Sequence, residues 1–216
     1  MAYVFTASNH FKYMLATQQV DLDTDALYIA LVRDGFVFNK DTHATYLNIT
    51  AVSAAATMIF SAGSKTITRP TGNFVTEGFV VGNRITTSTA LNPGPFTITA
   101  VTALELTVSE TVVNETAGCV ITCNDELPNG FGYTTGGELL VVTPLFEDDG
   151  DNRAELAFND VVWTATGGPI GPTSGAIIFD SSTGDLTIVG HLDFGADQLI
   201  ADGLTLGITD NELRHS

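Results

Sequence analysis

The amino-acid sequence predicts a mainly β protein with antiparallel sheets. Short runs rich in threonine, valine and isoleucine recur along most of the chain, and turn clusters of glycine, proline, asparagine and aspartate separate them. The strand-like runs of the C-terminal part follow one another without the helix-length crossovers that a parallel sheet needs. We therefore expect an antiparallel β-sandwich of the jelly-roll or a related kind, with one short N-terminal helix and an inserted small β domain.

The predicted helix lies in the sequence SNHFKYMLATQQV. Ser8 or Asn9 can cap its first turn, and Phe11, Met14 and Leu15 share one face at helical spacing. After the acidic sequence DLDTD the pattern becomes β, beginning with the apolar run ALYIALV at residues 26–32.

The composition changes near residue 51 and again near residue 125, which indicates two domains. Between these positions, short threonine-rich strands alternate with the turn sequences TGN, VGN and NPGP. In the strand LELTVSE, we expect Leu104, Leu106 and Val108 to face the same way. The pattern predicts a small β-barrel or sandwich at residues 51–125, inserted into a discontinuous β domain formed by residues 1–50 and 126–216.

Five further runs predict the remaining strands of the discontinuous domain. They span residues 138–148, 153–166, 175–180, 186–195 and 204–208. Turn clusters separate them, including GGPIGPTSG and GADQ.

The charge is strongly acidic, which limits the classes of partner. The chain has 25 acidic residues against 8 Lys and Arg, a formal net charge of -17. Nucleic-acid binding depends on Lys and Arg that displace counterions, so we expect no nucleic-acid partner. No run approaches the ~20 apolar residues of a membrane span. The first residues lack the pattern of a secretory signal, so we expect no membrane partner and synthesis in a cytoplasm.

The two cysteines lie in the sequence CVITC. If this segment is a strand, Cys119 and Cys123 are about 13 Å apart at the usual rise per residue. That separation exceeds the limit of roughly 7 Å between the Cα atoms of a disulfide. The spacing predicts two buried free thiols, and two cysteines without a neighbouring histidine do not form a zinc site.

The sequence GFGYTTGG, residues 130–137, superficially resembles a phosphate-binding loop. Such a loop precedes a helix and is accompanied by a lysine. Here an apolar β run, ELLVV, follows, and the nearest lysine upstream is Lys65. We expect a turn between two strands, in which the glycines adopt positive φ angles.

The acidic cluster EDDGDNRAE, residues 147–155, raises the question of a calcium site. A loop that starts at Glu147 places Asn152 at position six and Phe158 at position twelve, where an EF-hand requires glycine and glutamate. A solvated hairpin tip is the favoured interpretation, and a structural calcium site is the alternative.

Residues of catalytic type are scattered along the sequence. Ser174 lacks the G-x-S-x-G context of an esterase nucleophile. The four histidines show no zinc spacing: His10, His43, His191 and His215. The single tryptophan, Trp163, alternates with apolar neighbours and is expected in the core. We predict no catalytic, cofactor-binding or metal-binding residues and no cofactor, although many acids leave a carboxylate pair for glycan cleavage as an alternative.

Several stretches together resemble a group of virion structural proteins of tailed bacteriophages, of the head decoration type. They include NHFKYMLATQQVDLDTDALYIALV, GFVFNKDTHATY, ELPNGFGYTTGG, FNDVVWTATGGPIGPTSGAIIFD and VGHLDFGADQ. The threonine-rich stretch between THATY and GYTTGG is similar to small β modules of phage head and tail proteins. The resemblance implies no catalytic residues.

The resemblance implies a capsid decoration or cement protein on the head surface of a virion. Its partner would be the major capsid protein, and the protein itself would form a homotrimer. A tail, connector or head-fibre component is the first alternative. A protein that binds or degrades host-surface glycans is the second.

Overall fold

The computed structural model of the chain describes residues 4–141, 146–148, 153–209 and 212–215. Strands account for 45% of the residues and helices for 6%. All strand pairs among the described residues are antiparallel. The prediction of a mainly β, antiparallel protein of the sandwich class is confirmed.

Two helices and seventeen strands make up the described fold. In chain order they are β1 (Val4–Ala7), α1 (Asn9–Ala16), β2 (Leu27–Arg33), α2 (Leu47–Thr50), β3 (Ala56–Ser61), β4 (Thr66–Thr68), β5 (Arg84–Thr87), β6 (Phe96–Val101), β7 (Glu105–Val108), β8 (Glu115–Cys119), β9 (Ile121–Cys123), β10 (Glu138–Leu140), β11 (Phe146–Asp148), β12 (Arg153–Ala157), β13 (Val161–Thr164), β14 (Ile170–Asp180), β15 (Ile188–Ile200), β16 (Thr205–Ile208) and β17 (Glu212–His215).

The chain divides into two compact units. Unit 1 comprises Met1–Gly35 and Leu127–Ser216, and unit 2 comprises Phe36–Glu126. The first boundary therefore lies earlier than the predicted position near residue 51. Residues 36–50 belong to unit 2 because Asn48 Nδ2 donates to the Gly78 carbonyl at 2.9 Å, and Asn83 Nδ2 donates to the Asn48 carbonyl at 2.8 Å.

Unit 1 is built on a five-stranded sheet in the order β1-β15-β14-β2-β10, and it also contains the pair β13-β16 and the sheet β11-β12-β17. The inner faces of β13 and β16 contribute Trp163 and Ile208 to the same apolar core as Ile29 and Ile178 of the large sheet. This packing of two β layers over one core is the sandwich arrangement.

The central strands β14 and β15 extend through two stretches that were expected to be turns. β14 begins at Ile170, within GGPIGPTSG, and β15 continues through GADQ to Ile200. Register shifts between Ile170 and Gly175 accommodate Pro172, which cannot donate a ladder hydrogen bond. The prediction of turns in these two stretches was wrong, because β-bulges accommodate the proline and the glycines within the strands.

Helix α1 packs against the core of unit 1 through a few apolar residues. The Ser8 side chain caps the helix by accepting from the Phe11 amide at 3.2 Å, as predicted. Phe11 and Met14 are buried, but Leu15 is exposed, so the predicted apolar face is narrower than expected. No helix of the described ranges is both long and apolar enough to cross a membrane.

Unit 2 is a seven-stranded sheet in the order β8-β3-β4-β7-β6-β5-β9. Its two edge strands, β8 and β9, are successive segments of the chain separated only by Val120, so the sheet curls around its core. Leu106 and Val108 lie in this core, whereas Leu104 precedes β7 and is exposed, contrary to expectation. Cys119 and Cys123 are buried thiols, as predicted, and Cys123 Sγ donates to Asp125 Oδ2 at 3.2 Å.

We predict that unit 1 folds without unit 2. The Leu127 amide donates to the Leu31 carbonyl at 3.0 Å, so the returning chain lies beside β2 close to Gly35. A variant in which a short Gly-Ser link replaces residues 36–126 should retain the far-UV circular dichroism of a β protein and melt cooperatively. A variant lacking only residues 51–125 should be less stable or aggregate, because residues 36–50 lose their partners in unit 2. An unfolded 36–126 deletion would contradict the division.

Candidate functional site

The glycine-rich loop at residues 130–137 is a closed turn. The amides and carbonyls of Gly130 and Tyr133 exchange two hydrogen bonds, each of 3.0 Å. The Gly137 amide donates to the Thr134 carbonyl at 3.0 Å, and the Thr135 amide donates to Asn129 Oδ1 at 2.6 Å. These four amides are therefore committed within the loop, whereas a phosphate cradle points its amides at the anion. The element that follows the loop is strand β10, whereas a phosphate loop leads into a helix.

Tyr133 anchors this loop in the core of unit 1. Its side chain is buried, and its hydroxyl accepts a hydrogen bond from the Leu31 amide on β2 at 3.0 Å. Its ring lies 6.2 Å from the Trp163 ring, centroid to centroid, and Trp163 is buried as predicted. The loop thus joins β2 of the large sheet to β13 of the second layer.

Two glycines permit the loop to approach the strands so closely. Gly132 has φ of 97°, and a Cβ there would collide with the Thr164 carbonyl on β13. Gly137 has φ of 71°, and a Cβ there would collide with the Ile29 carbonyl on β2. The glycines therefore serve backbone conformation and packing.

The structure does not bring the scattered residues of catalytic type into one constellation among the described residues. Ser174 Oγ donates to the Arg33 carbonyl at 2.8 Å. His10 pairs with Asp185 at 2.8 Å, on the surface of unit 1. His43 is buried beside the rings of Phe36 and Phe38 in unit 2. The side chain of His215 is outside the described residues.

The proposed calcium loop at residues 147–152 lies largely outside the described residues, and the calcium alternative stays a prediction. Within the parts of the chain that the structure describes, no group of three or more His, Cys, Asp or Glu side chains is arranged to hold a metal ion.

Two buried titratable groups in unit 1 have pKa values displaced in opposite directions. Burial raises the pKa of Asp180 to about 6, and the nearby Asp25 carboxyl adds to this rise, although the Ser182 amide donates to Asp180 at 2.8 Å. Burial lowers the pKa of His191 to about 4, against the opposing charge of Asp193. Both side chains favour their uncharged forms because the core solvates charge poorly.

One end of unit 1 exposes apolar side chains from several segments, which we call the loop end: residues 128–131, 162–172 and 199–207. The segments are tied together by hydrogen bonds between backbone groups. The Thr166 amide donates to the Phe131 carbonyl at 2.9 Å, and the Ala165 amide donates to the Leu204 carbonyl at 2.9 Å. The exposed fractions are 51% for Phe131, 54% for Val162, 62% for Leu199 and 60% for Leu204.

Two hollows lie at the loop end. The larger has a volume of about 300 Å³ and lies between the end of β15 and strand β16. The smaller has a volume of about 120 Å³ and lies beside the glycine loop, where Phe131 and Pro169 line it. Ile200 lines the larger hollow and its cross-strand partner Ile170 lines the smaller one.

The sequence offered only a weak signal for the loop end. Leu199 follows GADQ, which was expected to be a turn, and Leu204 begins a predicted strand and was expected to be part of it. Their proximity depends on the turn between β15 and β16, where the Leu204 amide donates to the Ala201 carbonyl at 2.9 Å. The two leucines on either side of a short turn were the only feature of the sequence that could have indicated the site.

We predict that Tyr133→Phe destabilises the protein. The substitution leaves the buried Leu31 amide without its acceptor, at a cost of roughly 1–3 kcal/mol. The melting temperature should fall by several degrees in calorimetry. Tyr13→Phe, at an exposed position, is the matched control and should melt like the wild type. Equal melting temperatures for all three proteins would contradict the role of Tyr133.

We predict that Asp180→Asn changes the pH dependence of stability. The folded protein holds the Asp180 proton more tightly than the unfolded chain, so ionisation of Asp180 destabilises the fold as pH rises from about 4 to about 6. His191 acts in the opposite direction, because its stabilising neutral form is lost as pH falls from about 6.5 to about 4.

The melting temperature of Asp180→Asn, measured relative to that of the wild type, should therefore be higher at pH 7 than at pH 4.5. The asparagine can still accept from the Ser182 amide and cannot ionise. Asp160→Asn, at an exposed position, is the control. A difference that does not change with pH would show that Asp180 is not the group responsible.

No protein-family model, no curated protein and no solved structure matches this chain in comparison.

Proposed function

We propose that the protein is a non-enzymatic structural component of a tailed-bacteriophage virion, a decoration or cement protein bound to the outer surface of the head. The sequence resemblance to phage structural proteins supports this assignment. The partner is the major capsid protein, and the protein acts by binding to it.

The observation that carries the proposal is the exposed apolar surface of the loop end. Four large apolar side chains from three separate segments are more than half exposed there, next to two hollows. Exposed apolar side chains that cluster in this way are common at protein interaction sites. Burial of such surface against a partner stabilises a complex by about 25 cal/mol for each Å² removed from water.

The charge supports a position on the outside of the head. Unit 1 carries eighteen acidic and four basic residues, whereas unit 2 carries seven acidic and four basic residues. A surface this acidic is repelled by packaged DNA and by other polyanions. The same repulsion would suit a tail or connector component, which is the alternative that the experiment below distinguishes.

The proposed mechanism is linkage between binding and assembly. A protein that binds the assembled lattice and not the free subunits stabilises the lattice, by about 2.7 kcal/mol per site at a concentration of one hundred times Kd. A homotrimer at a position of local threefold symmetry repeats each contact three times and gains avidity without new contacts.

We predict that heads that carry the protein resist heat better than heads that lack it. Particles from a phage without the gene should release their DNA at a lower temperature, and addition of the purified protein should restore the higher temperature because binding favours the intact lattice. DNA release can be followed with an intercalating dye during a thermal ramp.

An equal addition of serum albumin controls for non-specific protection. If heads are equally robust with and without the protein, or if the protein is found only on tails, the decoration assignment is wrong.

A further inference from the structure

We propose that the larger hollow of the loop end is the anchor site for a protein surface that presents a projecting apolar side chain surrounded by lysines and arginines. This inference rests on the proposed function and deepens it, because it identifies the face of unit 1 that contacts the partner and the chemistry of that partner.

The hollow is open and has both apolar and polar walls. Its walls are formed by Gln198, Leu199 and Ile200 at the end of β15 and by Leu204, Thr205, Leu206, Gly207 and Thr209 of the β16 segment. Ile200 and Leu206 are buried, whereas Leu199 and Leu204 are largely exposed. A volume of about 300 Å³ is at the lower end of the range for ligand pockets, which suits a side chain better than a large ligand.

The two exposed leucines are held in place by the turn between them. The Leu204 amide donates to the Ala201 carbonyl at 2.9 Å, and the Gly203 amide donates to the Ala165 carbonyl at 2.8 Å. The Gly167 amide donates to Asp202 Oδ1 at 2.8 Å, which fixes the turn to the adjacent loop. Because the backbone is already ordered, a partner would lose little free energy in immobilising these leucines.

The apolar surface continues from the hollow onto β13. Val162 lies opposite Gly207 in the β13-β16 pair and is 54% exposed. A Cβ at Gly207 would have only two side-chain atoms nearby, both at van der Waals distance. The glycine therefore leaves room for the backbone of a partner to approach the pair.

The charges around the hollow determine which partner fits. Residues 160–172 and 196–207 contain Asp160, Asp197 and Asp202 and no lysine or arginine. The nearest basic side chain along the adjoining strand is Arg33, whose Nη1 donates to the Asp34 carbonyl at 2.7 Å beside Pro172. A second copy of the chain would bring the same acidic residues against this surface, so a basic partner is favoured over self-association at this end.

The test compares binding of wild-type and variant proteins to heads from a phage that lacks the gene, measured by co-sedimentation. The double variant Leu199→Asn with Leu204→Asn should bind about tenfold or more weakly, since central apolar contacts dominate binding energy. Leu91→Asn with Leu104→Asn is the matched control, because these leucines are 59% and 42% exposed in unit 2. It should bind like the wild type. Circular dichroism melts establish that both double variants are folded.

A second variant tests the charge argument. Asp197 is exposed, and Asp197→Lys should bind heads more weakly than the wild type, because it replaces an attractive charge with a repulsive one. Wild-type binding should weaken as salt increases, because salt screens the attraction between complementary charges, and the variant should lose part of this salt dependence. Equal binding of the wild type and both loop-end variants would overturn this inference and leave the proposed function intact. Failure of the wild type itself to bind heads would overturn the proposed function and this inference together.

Discussion

The hydrogen bond from the Leu31 amide to the Tyr133 hydroxyl is the interaction on which the arrangement of unit 1 depends most. It joins β2, which lies between β14 and the edge strand β10 of the large sheet, to a loop that also approaches β13 through Gly132. The Tyr133 ring lies beside Trp163, so the same residue connects both layers of the sandwich. A buried amide without an acceptor is costly, and this constraint fixes the loop in one conformation.

The position of the loop end follows from this attachment. With Tyr133 in the core, Phe131 projects to the surface at φ of 54°, and its carbonyl accepts from Thr166. Ala165, the residue before Thr166, in turn exchanges hydrogen bonds with Gly203 and Leu204 of the β15-β16 turn. A surface built on strand ends and short hydrogen-bonded loops is better suited to repeated binding on a lattice than a mobile segment would be. The conformation of the glycine loop and the proposed binding role are thus physically linked.

The sequence was sufficient to predict the fold class, the capped helix, the buried tryptophan and the buried cysteine thiols, because each depends on local pattern. Alternation and turn residues indicate antiparallel strands wherever they occur in the chain. The same local rules failed at Pro172 and at GADQ, where bulges keep the chain in long strands. Local patterns also placed the start of unit 2 too late in the chain. The hydrogen bonds that Asn48 makes with Gly78 and Asn83 join residues far apart in the sequence.

The candidate site was harder to predict than the fold, for a related reason. The exposed leucines at 199 and 204 become one surface only through the β15-β16 turn and its bonds to residues 165–167. The glycine loop carried the strongest sequence signal for chemistry, yet its amides are used within the loop. Sequence patterns report backbone requirements well, but they do not distinguish a glycine that admits a ligand from one that admits a neighbouring strand.

Electron cryo-microscopy of intact virions of the phage proposed to encode this protein tests the central claim most directly. The account predicts density for the protein on the outer surface of the head, in groups of three, with the β15-β16 end of unit 1 against the capsid protein. Density confined to the tail or connector, or an orientation in which Leu199 and Leu204 face solvent, would contradict it.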